Sequence, residues 1–392
     1  MKKLLILGLI SAFILSSLLL VTSCGNESAD DEISVVLSTM AAGDSFSLIL
    51  RDGYVYAAGI ARNGQLGFES REHTFNLTRI PNLSNIISVA AGGMHGLALT
   101  EDGTVYSWGR NDRGQLGIGS QETMHTPQRV DLGGNAKAIA AGGNISFALM
   151  DDGTVRSWGI NDDGHLGNGE GESGLQSELP VTVLNLTNIV EIQAGTDHGV
   201  ARDVYGNVYV WGYNYIGQMG DGTTVDVLTP IRANLPGPAV SVAANRLNTI
   251  VALQDGRVFA AGGGVDGEEG LYFSWDQTGS QANEFVLLSG LSNITKVSAN
   301  IMSIFAVDEQ GRIWAVGLNT TGNLGLGDTD DRIAPYEIMG FSGIVEITGG
   351  DWHTLIRREN GNIYGMGAGQ FGQLAQGPDN RERATSPILI VN

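Results

Sequence analysis

The chain has 392 residues, of which 42 are acidic and 22 are lysine or arginine, so its formal net charge at pH 7 is −20. Proteins that bind nucleic acids need a basic patch to neutralise phosphates, and this charge balance argues against such a partner. The single cysteine, Cys24, excludes an intrachain disulfide and a cysteine-rich metal cluster.

The N-terminus has the features of an export signal. Two lysines precede an apolar run over residues 4–20, and residues 21–24 (Val-Thr-Ser-Cys) are similar to a bacterial lipoprotein cleavage box. We predict that residues 1–23 are a signal peptide and that Cys24 carries the lipid. The alternative is an uncleaved signal anchor, because the apolar run is nearly long enough to span a bilayer.

Residues 24–32 are rich in acids and are predicted to be a short tether between the lipid and the domain that follows. Residues 1–23 contain two lysines and no acids, so the remaining chain carries a formal charge of −22. This charge favours an exposed, soluble head. From the lipoprotein signal we expect the protein in the bacterial cell envelope, on the outer membrane or cell surface. We expect a monomer that contacts the membrane only through its lipid anchor.

From residue 33 onward, one pattern of about fifty residues recurs seven times, and each copy has a glycine in a predicted hairpin turn. These turn glycines are Gly53, Gly103, Gly153, Gly206, Gly256, Gly311 and Gly361. A period in this range indicates repeated supersecondary units that need their neighbours to bury their apolar faces.

The second copy shows what each unit contains. Alternation of apolar with small or polar residues predicts two short strands, Leu97–Leu99 and Val105–Ser107, joined by Asp102-Gly103. A Gly-x-x-Gly loop over residues 114–117 follows, and residues 126–130 predict an edge strand that contains a proline. Each copy therefore supplies about four antiparallel strands, and no helix is predicted after the export signal.

The seven copies predict an all-β fold, a seven-bladed β-propeller over residues 33–392. The first copy begins at about Ile33 with no proline-bearing strand before it, whereas such a segment, Ser386–Ile390, ends the chain with no copy after it. We therefore predict that this C-terminal strand pairs into the first blade and closes the ring, which would leave only short sheet edges.

A longer signature runs from Gly92 to Gly117: Gly-x-x-His-x-x-Ala-Leu, then Asp-Gly, then Trp-Gly-x-Asn-x-x-Gly-x-Leu-Gly. It resembles the repeat of the regulator of chromosome condensation family, and the resemblance covers roughly residues 33–392. The resemblance implies a propeller and a habit of binding other proteins, but not the identity of the partner. In blade number and repeat signature the chain is also similar to the propeller-type β-lactamase inhibitory proteins, which suggests a functional analogy.

One variable loop per copy lies between a strand that ends in Ala-Ala-Gly (residues 90–92 in the second copy) and the first strand of the hairpin. These loops are expected to form a ring around the central channel. Apolar residues, tryptophan and arginine in such a ring suit the centre of a protein interface. The predicted partner-binding residues are Phe46, Met94, His95, Asn144, Asp197, Arg246, Leu247, Ile301, Met302 and Trp352. The alternative is that these loops fill the channel mouth against one another.

An insertion in the fifth copy is a second candidate contact surface. It carries Tyr272, Phe273 and Trp275 where the other copies have polar turns. Aromatic rings stack on protein and on sugar alike, so this loop could bind either, or it could fold back over a blade edge.

Three histidines, His95, His198 and His353, occupy the same position in copies two, four and seven. Histidines spread around a ring cannot converge on one metal ion, so we expect each to form a hydrogen bond within its own blade. The acidic run Asp328–Asp331 lacks the spacing of a known calcium loop. No metal and no cofactor is predicted.

We predict a lipid-anchored, non-enzymatic protein-binding module outside the cytoplasm, with an envelope or extracellular protein as its partner. No Gly-x-Ser-x-Gly nucleophile motif and no other catalytic constellation is present in the sequence. The alternative is a cell-envelope propeller enzyme, a hydrolase or lyase, or a polysaccharide-binding protein with its site at the channel mouth.

Overall fold

The computed structural model describes residues 35–263, 282–301 and 303–392. The predicted signal peptide, Cys24, the tether, Met302 and the loop of Tyr272, Phe273 and Trp275 lie outside the described residues. The described part of the chain contains 28 strands and no helix, and hence no helix that could cross a membrane.

The strands form seven four-stranded sheets, numbered here as blades 1 to 7. Blade 1 consists of β1 (Met40–Ala42), β2 (Phe46–Arg51), β3 (Tyr54–Gly59) and β4 (Thr74–Arg79). Blade 2 consists of β5 (Ile86–Ala91), β6 (His95–Thr100), β7 (Val105–Gly109) and β8 (Met124–Val130). Blade 3 consists of β9 (Ala136–Gly142), β10 (Ile145–Met150), β11 (Val155–Ile160) and β12 (Gln176–Thr182). Blade 4 consists of β13 (Ile189–Ala194), β14 (His198–Asp203), β15 (Val208–Gly212) and β16 (Val227–Arg232). Blade 5 consists of β17 (Ala239–Ala244), β18 (Asn248–Leu253), β19 (Val258–Gly262) and β20 (Ala282–Leu287). Blade 6 consists of β21 (Ile294–Asn300), β22 (Ser303–Asp308), β23 (Ile313–Gly317) and β24 (Arg332–Glu337). Blade 7 consists of β25 (Ile344–Gly349), β26 (His353–Arg358), β27 (Ile363–Gly367) and β28 (Ala384–Val391).

Within each blade the strands pair in chain order, and every pair is antiparallel. The first strands of neighbouring blades contact one another all the way round, from β1 to β25 and back to β1, so they form the innermost layer of a ring. The prediction of a seven-bladed β-propeller is therefore confirmed.

The predicted hairpin glycines are confirmed by their backbone angles. All seven have φ between 70° and 86°, the left-handed region that a side chain rarely adopts. At Asp102-Gly103 the aspartate side chain also accepts the backbone N–H of Thr104 at 3.2 Å, which holds the turn between β6 and β7.

Tryptophans of three blades fill the space between neighbouring sheets. Trp108, Trp158 and Trp211 are fully buried, and the indole N–H of each donates to a backbone carbonyl in the preceding blade. The accepting carbonyls belong to Gln65 (2.9 Å), Gln115 (2.9 Å) and His165 (3.0 Å). The glycine-rich loops of blades 1, 2 and 3 thus each supply a hydrogen-bond acceptor to the tryptophan of the next blade.

The predicted route of ring closure is wrong. The C-terminal strand β28 pairs with β27, with Tyr364 opposite Leu389, and so completes blade 7 rather than blade 1. Blade 1 has its own outer strand, β4, which pairs with β3. The proline used to locate outer strands is absent from β4, where alternation of Phe75 and Leu77 with polar residues marks the strand instead.

Side-chain contacts close the ring between blades 7 and 1. The carboxylate of Glu346 accepts the backbone N–H groups of Thr39 (2.7 Å) and Met40 (3.2 Å) and the hydroxyl of Thr39 (2.5 Å). Met40 and Ile49 of blade 1 also belong to one apolar cluster with Leu355 of blade 7. The closing seam therefore uses the same kinds of contact as the seams between other blades.

Candidate functional site

The two ends of the propeller carry different loops. Because the strands of each blade are antiparallel, the loop between the first and second strands and the loop between the third and fourth strands emerge at one end, here called the loop face. The hairpin turns that contain the seven predicted glycines emerge at the other end, the turn face. All residues of the predicted ring that the structure describes belong to the loop face.

The channel opens on the loop face into a cavity of about 340 Å³, lined by the first loop of every blade. Backbone hydrogen bonds join several neighbouring loops around this mouth. The N–H of Asp44 donates to the carbonyl of Gly93 (3.0 Å), and the N–H of Gly93 donates to that of Gly143 (2.9 Å). In the same way, the N–H of Thr196 donates to the carbonyl of Asn245 (3.4 Å), and the N–H of Ile301 donates to that of Gly350 (3.4 Å). The loops thus form a fixed rim.

At the seam between blades 7 and 1 two carboxyl groups meet at this mouth. Asp351 and Asp44 form a side-chain hydrogen bond, which requires one of them to carry a proton. Burial, followed by the neighbouring charge of Asp44, raises the pKa of Asp351 to about 7. Burial also raises the pKa of Asp44.

Two arginines oppose this effect from other blades. Arg110 acts on Asp44 and Arg246 acts on Asp351, and each positive charge favours the ionised carboxylate. Both guanidinium groups lie on the loop face, and both residues line the cavity. The mouth therefore holds carboxyl groups and arginines together, and the carboxyl of Asp351 is partly protonated near pH 7.

Six of the ten predicted ring residues reach the surface. Trp352 and Arg246 are exposed, and Met94, Asn144, Asp197 and Ile301 are partly buried at the rim. Met302 lies outside the described residues. Their role in binding a partner stays a prediction.

Three predicted ring residues are buried, and their side chains are not available to a partner. Phe46 and His95 are fully buried, and Leu247 is 7% exposed. Phe46 stands at the repeat position that His95 occupies in blade 2, where the side chain turns inward at the start of the second strand. Alignment of the copies could have shown this, because the position is an inward one in both blades.

The exposed residues of the rim are held by loops of the preceding blade. The amide of Gln115 donates to the side-chain oxygen of Asn144 (2.9 Å), and the hydroxyl of Thr321 donates to the carbonyl of Trp352 (2.9 Å). Trp352 keeps 43% of its surface exposed although its backbone is fixed in this way. An exposed indole on a fixed stretch of backbone is thus presented beside the channel mouth.

The three repeat histidines join blades together, so the expectation that each would bond within its own blade is wrong. Their Nε2 atoms lie within hydrogen-bond distance of hydroxyls in the next blade: His95 with Ser146 (2.8 Å), His198 with Thr249 (3.0 Å) and His353 with Ser47 (2.8 Å). Burial lowers the pKa of each to about 3, so all three are neutral. The last of them spans the closing seam.

Sequence reasoning missed two tyrosines on the loop face, of which Tyr213 is partly buried and Tyr215 is exposed. Tyr213 and Tyr215 follow β15, and their rings stack with centroids 6.3 Å apart. Tyr215 is 70% exposed. The available signal was their position, which in the other copies is held by residues such as Arg110 and Asp112 in a polar loop. Among the described residues, no group of three or more His, Cys, Asp or Glu side chains is placed to hold a metal ion.

The fold and the loop face define a closed propeller that presents loops from all its blades around one channel. Residues 22–282 and 138–391 match the RCC1-like domain family, and the chain belongs to that family. Propellers of this family are a type of protein-interaction module.

Known proteins resemble the chain in sequence and in structure. The ultraviolet-B receptor UVR8 of Arabidopsis thaliana is 32% identical over 222 residues, which are 56% of this chain and 49% of the receptor. The chain thus spans about half the length of this curated relative. Prp20p from Saccharomyces cerevisiae superposes with a TM-score of 0.73 at 21% identity, covering 92% of this chain and 87% of that one.

Human WBSCR16 has a similar structure, with a TM-score of 0.72 at 21% identity over 82% of this chain and 86% of its own. At this level of identity, the two structural likenesses show the fold alone. They support the propeller, and the choice of partner has to be argued from the residues of this chain.

Proposed function

We propose that the chain is a lipid-anchored, extracytoplasmic propeller that binds another protein through its loop face and has no enzymatic activity of its own. The observation that carries the proposal is Trp352, an indole exposed beside the channel mouth. Trp108, Trp158 and Trp211 are fully buried between blades, so exposure is not the rule for tryptophan in this fold. Tryptophan is among the residues that contribute most to binding at protein interfaces.

The neighbours of Trp352 suit the same role. Met94 and Ile301 add apolar surface at the rim, and Arg246 adds a guanidinium group. An apolar centre with arginine and a polar surround is the usual make-up of such an interface. Because the rim is held by backbone hydrogen bonds, binding would cost little ordering of these loops.

The membrane anchor is proposed from the sequence around Cys24. A diacyl or triacyl group on this residue would hold the acidic head at a membrane surface. Cys24→Ser is expected to abolish incorporation of radiolabelled palmitate and to release the chain from the membrane fraction. Incorporation that persists in the variant would contradict the anchor.

The test of partner binding compares two matched aromatic truncations in the full chain, purified in detergent from its own cells. Trp352→Ala removes the exposed indole of the loop face, whereas Tyr205→Ala removes a tyrosine that is 72% exposed in a hairpin of the turn face. We expect an envelope protein retained by the wild type and by Tyr205→Ala to be lost with Trp352→Ala, at unchanged thermal stability. Equal retention by both variants would contradict the proposal.

A further inference from the structure

One sector of the loop face, between blades 3 and 4, combines acids with tyrosines. It consists of Asp162 and Asp163 from the loop after β11, Asp197 from the loop before β14, and Tyr213, Tyr215 and Asp226 from the loop after β15. We call this set the acid–tyrosine patch. The side chains of Asp163 and Asp197 are 39% and 37% exposed, so partner groups can reach them.

The charges of the patch are close enough to act on one another. Burial and then the carboxylates of Asp226 and Asp162 raise the pKa of Asp163. Burial and then the carboxylates of Asp226, Asp197 and Asp163 raise the pKa of Tyr213. Like charges held close together repel one another, so binding of a cation would lower the electrostatic energy of the patch.

Basic residues are scarce in this part of the chain. Between Arg156 and Arg232 the sequence contains no lysine and one arginine, Arg202. Arg202 is occupied by an ion pair with the buried Glu191 at 2.7 Å. Arg246 of blade 5 acts on Asp197 from one side, and the four carboxylates outnumber this single guanidinium group.

A buried histidine is aimed into the patch. His165 stands where the loops of blades 1, 2, 4 and 7 have glutamine, and it is 2% exposed. Its Nδ1 accepts the backbone N–H of Asp163 at 3.2 Å, so the proton of the neutral ring is on Nε2.

The Nε2 atom has no hydrogen bond to any residue that the structure describes. Its nearest acidic oxygens belong to Asp197 (3.8 Å) and Asp163 (3.9 Å), which is too far for a hydrogen bond. By contrast, Gln115 at the equivalent position of blade 2 bonds the next blade directly, through Asn144 at 2.9 Å. A polar donor and two carboxylates thus face one another across a gap that an incoming polar group can enter.

We propose that the acid–tyrosine patch binds a lysine- or arginine-rich segment of the partner protein. This inference rests on the proposed function of the loop face and adds the chemistry of the partner. Basic side chains would donate to Asp163, Asp197 and Asp226, and a guanidinium or ammonium group would lie over the exposed ring of Tyr215. Backbone carbonyls of the same segment can accept the Nε2 proton of His165. A peptide therefore brings both kinds of group that the patch lacks.

The test measures binding of a fluorescent decapeptide of alternating lysine and glycine to the full chain in detergent, with a glutamate–glycine peptide as the second probe. The double variant Asp163→Asn plus Asp197→Asn removes two patch charges while keeping the side-chain shapes. Its matched control, Asp330→Asn plus Asp379→Asn, removes two exposed charges from loops of blades 6 and 7 on the same face.

We expect the patch variant to bind the lysine peptide roughly ten-fold more weakly than the wild type, and the control to stay within about two-fold of it. Tyr215→Ala should weaken binding about three-fold through loss of the ring. Equal weakening in patch and control variants, or equal binding of the glutamate peptide, would overturn the proposal. Thermal melting of each variant separates these results from misfolding. The Trp352→Ala comparison uses the native partner, so the two proposals can fail independently.

Discussion

At the residue scale, the three neutral histidines tie the stability of the ring to pH. His95, His198 and His353 are fully buried against hydroxyls of the next blade. An unfolded chain binds a proton at each of them below about pH 6.5, whereas in the folded state the pKa is about 3. Stability from these groups is therefore complete above pH 6.5 and is lost as pH falls toward 3.

Replacing one of them should flatten this dependence. His198→Asn places at this position the residue that blade 5 has there, Asn248. Between pH 6 and pH 4 the free energy of unfolding should fall less steeply than in the wild type, by about 1.4 kcal/mol per pH unit at most. Chemical denaturation at several pH values measures this slope, and parallel curves for the two proteins would contradict the account.

The carboxyl pair of Asp44 and Asp351 at the channel mouth changes stability with pH in the opposite direction. The pKa of Asp351 is raised to about 7 by burial and by Asp44, above its usual value of 3.8. The unfolded state therefore gives up this proton earlier, and the free energy of unfolding should fall as pH rises from about 4 to about 7. In Asp351→Asn this decline should be smaller, because the variant lacks the group whose pKa is raised to about 7. Denaturation at pH 5 and pH 8 tests it, and an equal change in both proteins would argue against a shared proton.

At the scale of the element, the sequence predicted what each blade repeats. The hairpin glycines, the paired short strands and the blade number followed from a period of about fifty residues, because these features depend on local backbone geometry. The outer strand of blade 1 was missed because β4 lacks the proline that marks its counterparts in most other blades.

Burial of the loop residues was harder to predict, because a shift of one residue along the chain decides whether a side chain turns into the core or out to solvent. Phe46 and Trp352 are both aromatic and both lie near the start of a second strand. Phe46 is the first residue of β2 and turns inward, whereas Trp352 precedes β26 by one residue and turns outward. The carboxyl pair and the acid–tyrosine patch join residues from different blades, and such contacts require the closed ring to be known.

Because side-chain contacts rather than a shared strand close the ring, we expect Glu346 to be critical for its stability. Glu346→Ala leaves the backbone N–H groups of Thr39 and Met40 without their acceptor and Arg357 without its ion-pair partner at 3.1 Å. We expect a loss of about 3 kcal/mol in the free energy of unfolding. Hydrogen exchange should increase first in β1 and β25, on the two sides of the closing seam.

Glu191→Ala is the matched control for this experiment. Glu191 is the counterpart of Glu346 in blade 4, where it pairs with Arg202 and accepts the N–H of Val242 in blade 5 at 3.3 Å. Its removal should cost a similar free energy, but with exchange increasing in β13 and β17. If both variants open at the same blades, the seam between blades 7 and 1 is not closed as described.

At the scale of the whole molecule, the two faces of the propeller differ in what they can offer a partner. The turn face is built from tight hairpins whose glycines repeat in every blade. The loop face carries the residues that vary between blades, including Trp352, the carboxyl pair and the tyrosines after β15. A ring of seven similar blades thus presents one asymmetric surface, which is what recognition of a single partner requires.

The most direct test of partner binding at the loop face is site-specific photo-cross-linking in intact cells. A benzophenone amino acid replaces Trp352 on the loop face in one strain and Tyr205 on the turn face in another, since both positions are exposed. We predict a discrete cross-linked protein at position 352 and none at position 205. Cross-links of equal yield at both positions, or at position 205 alone, would contradict a binding surface on the loop face.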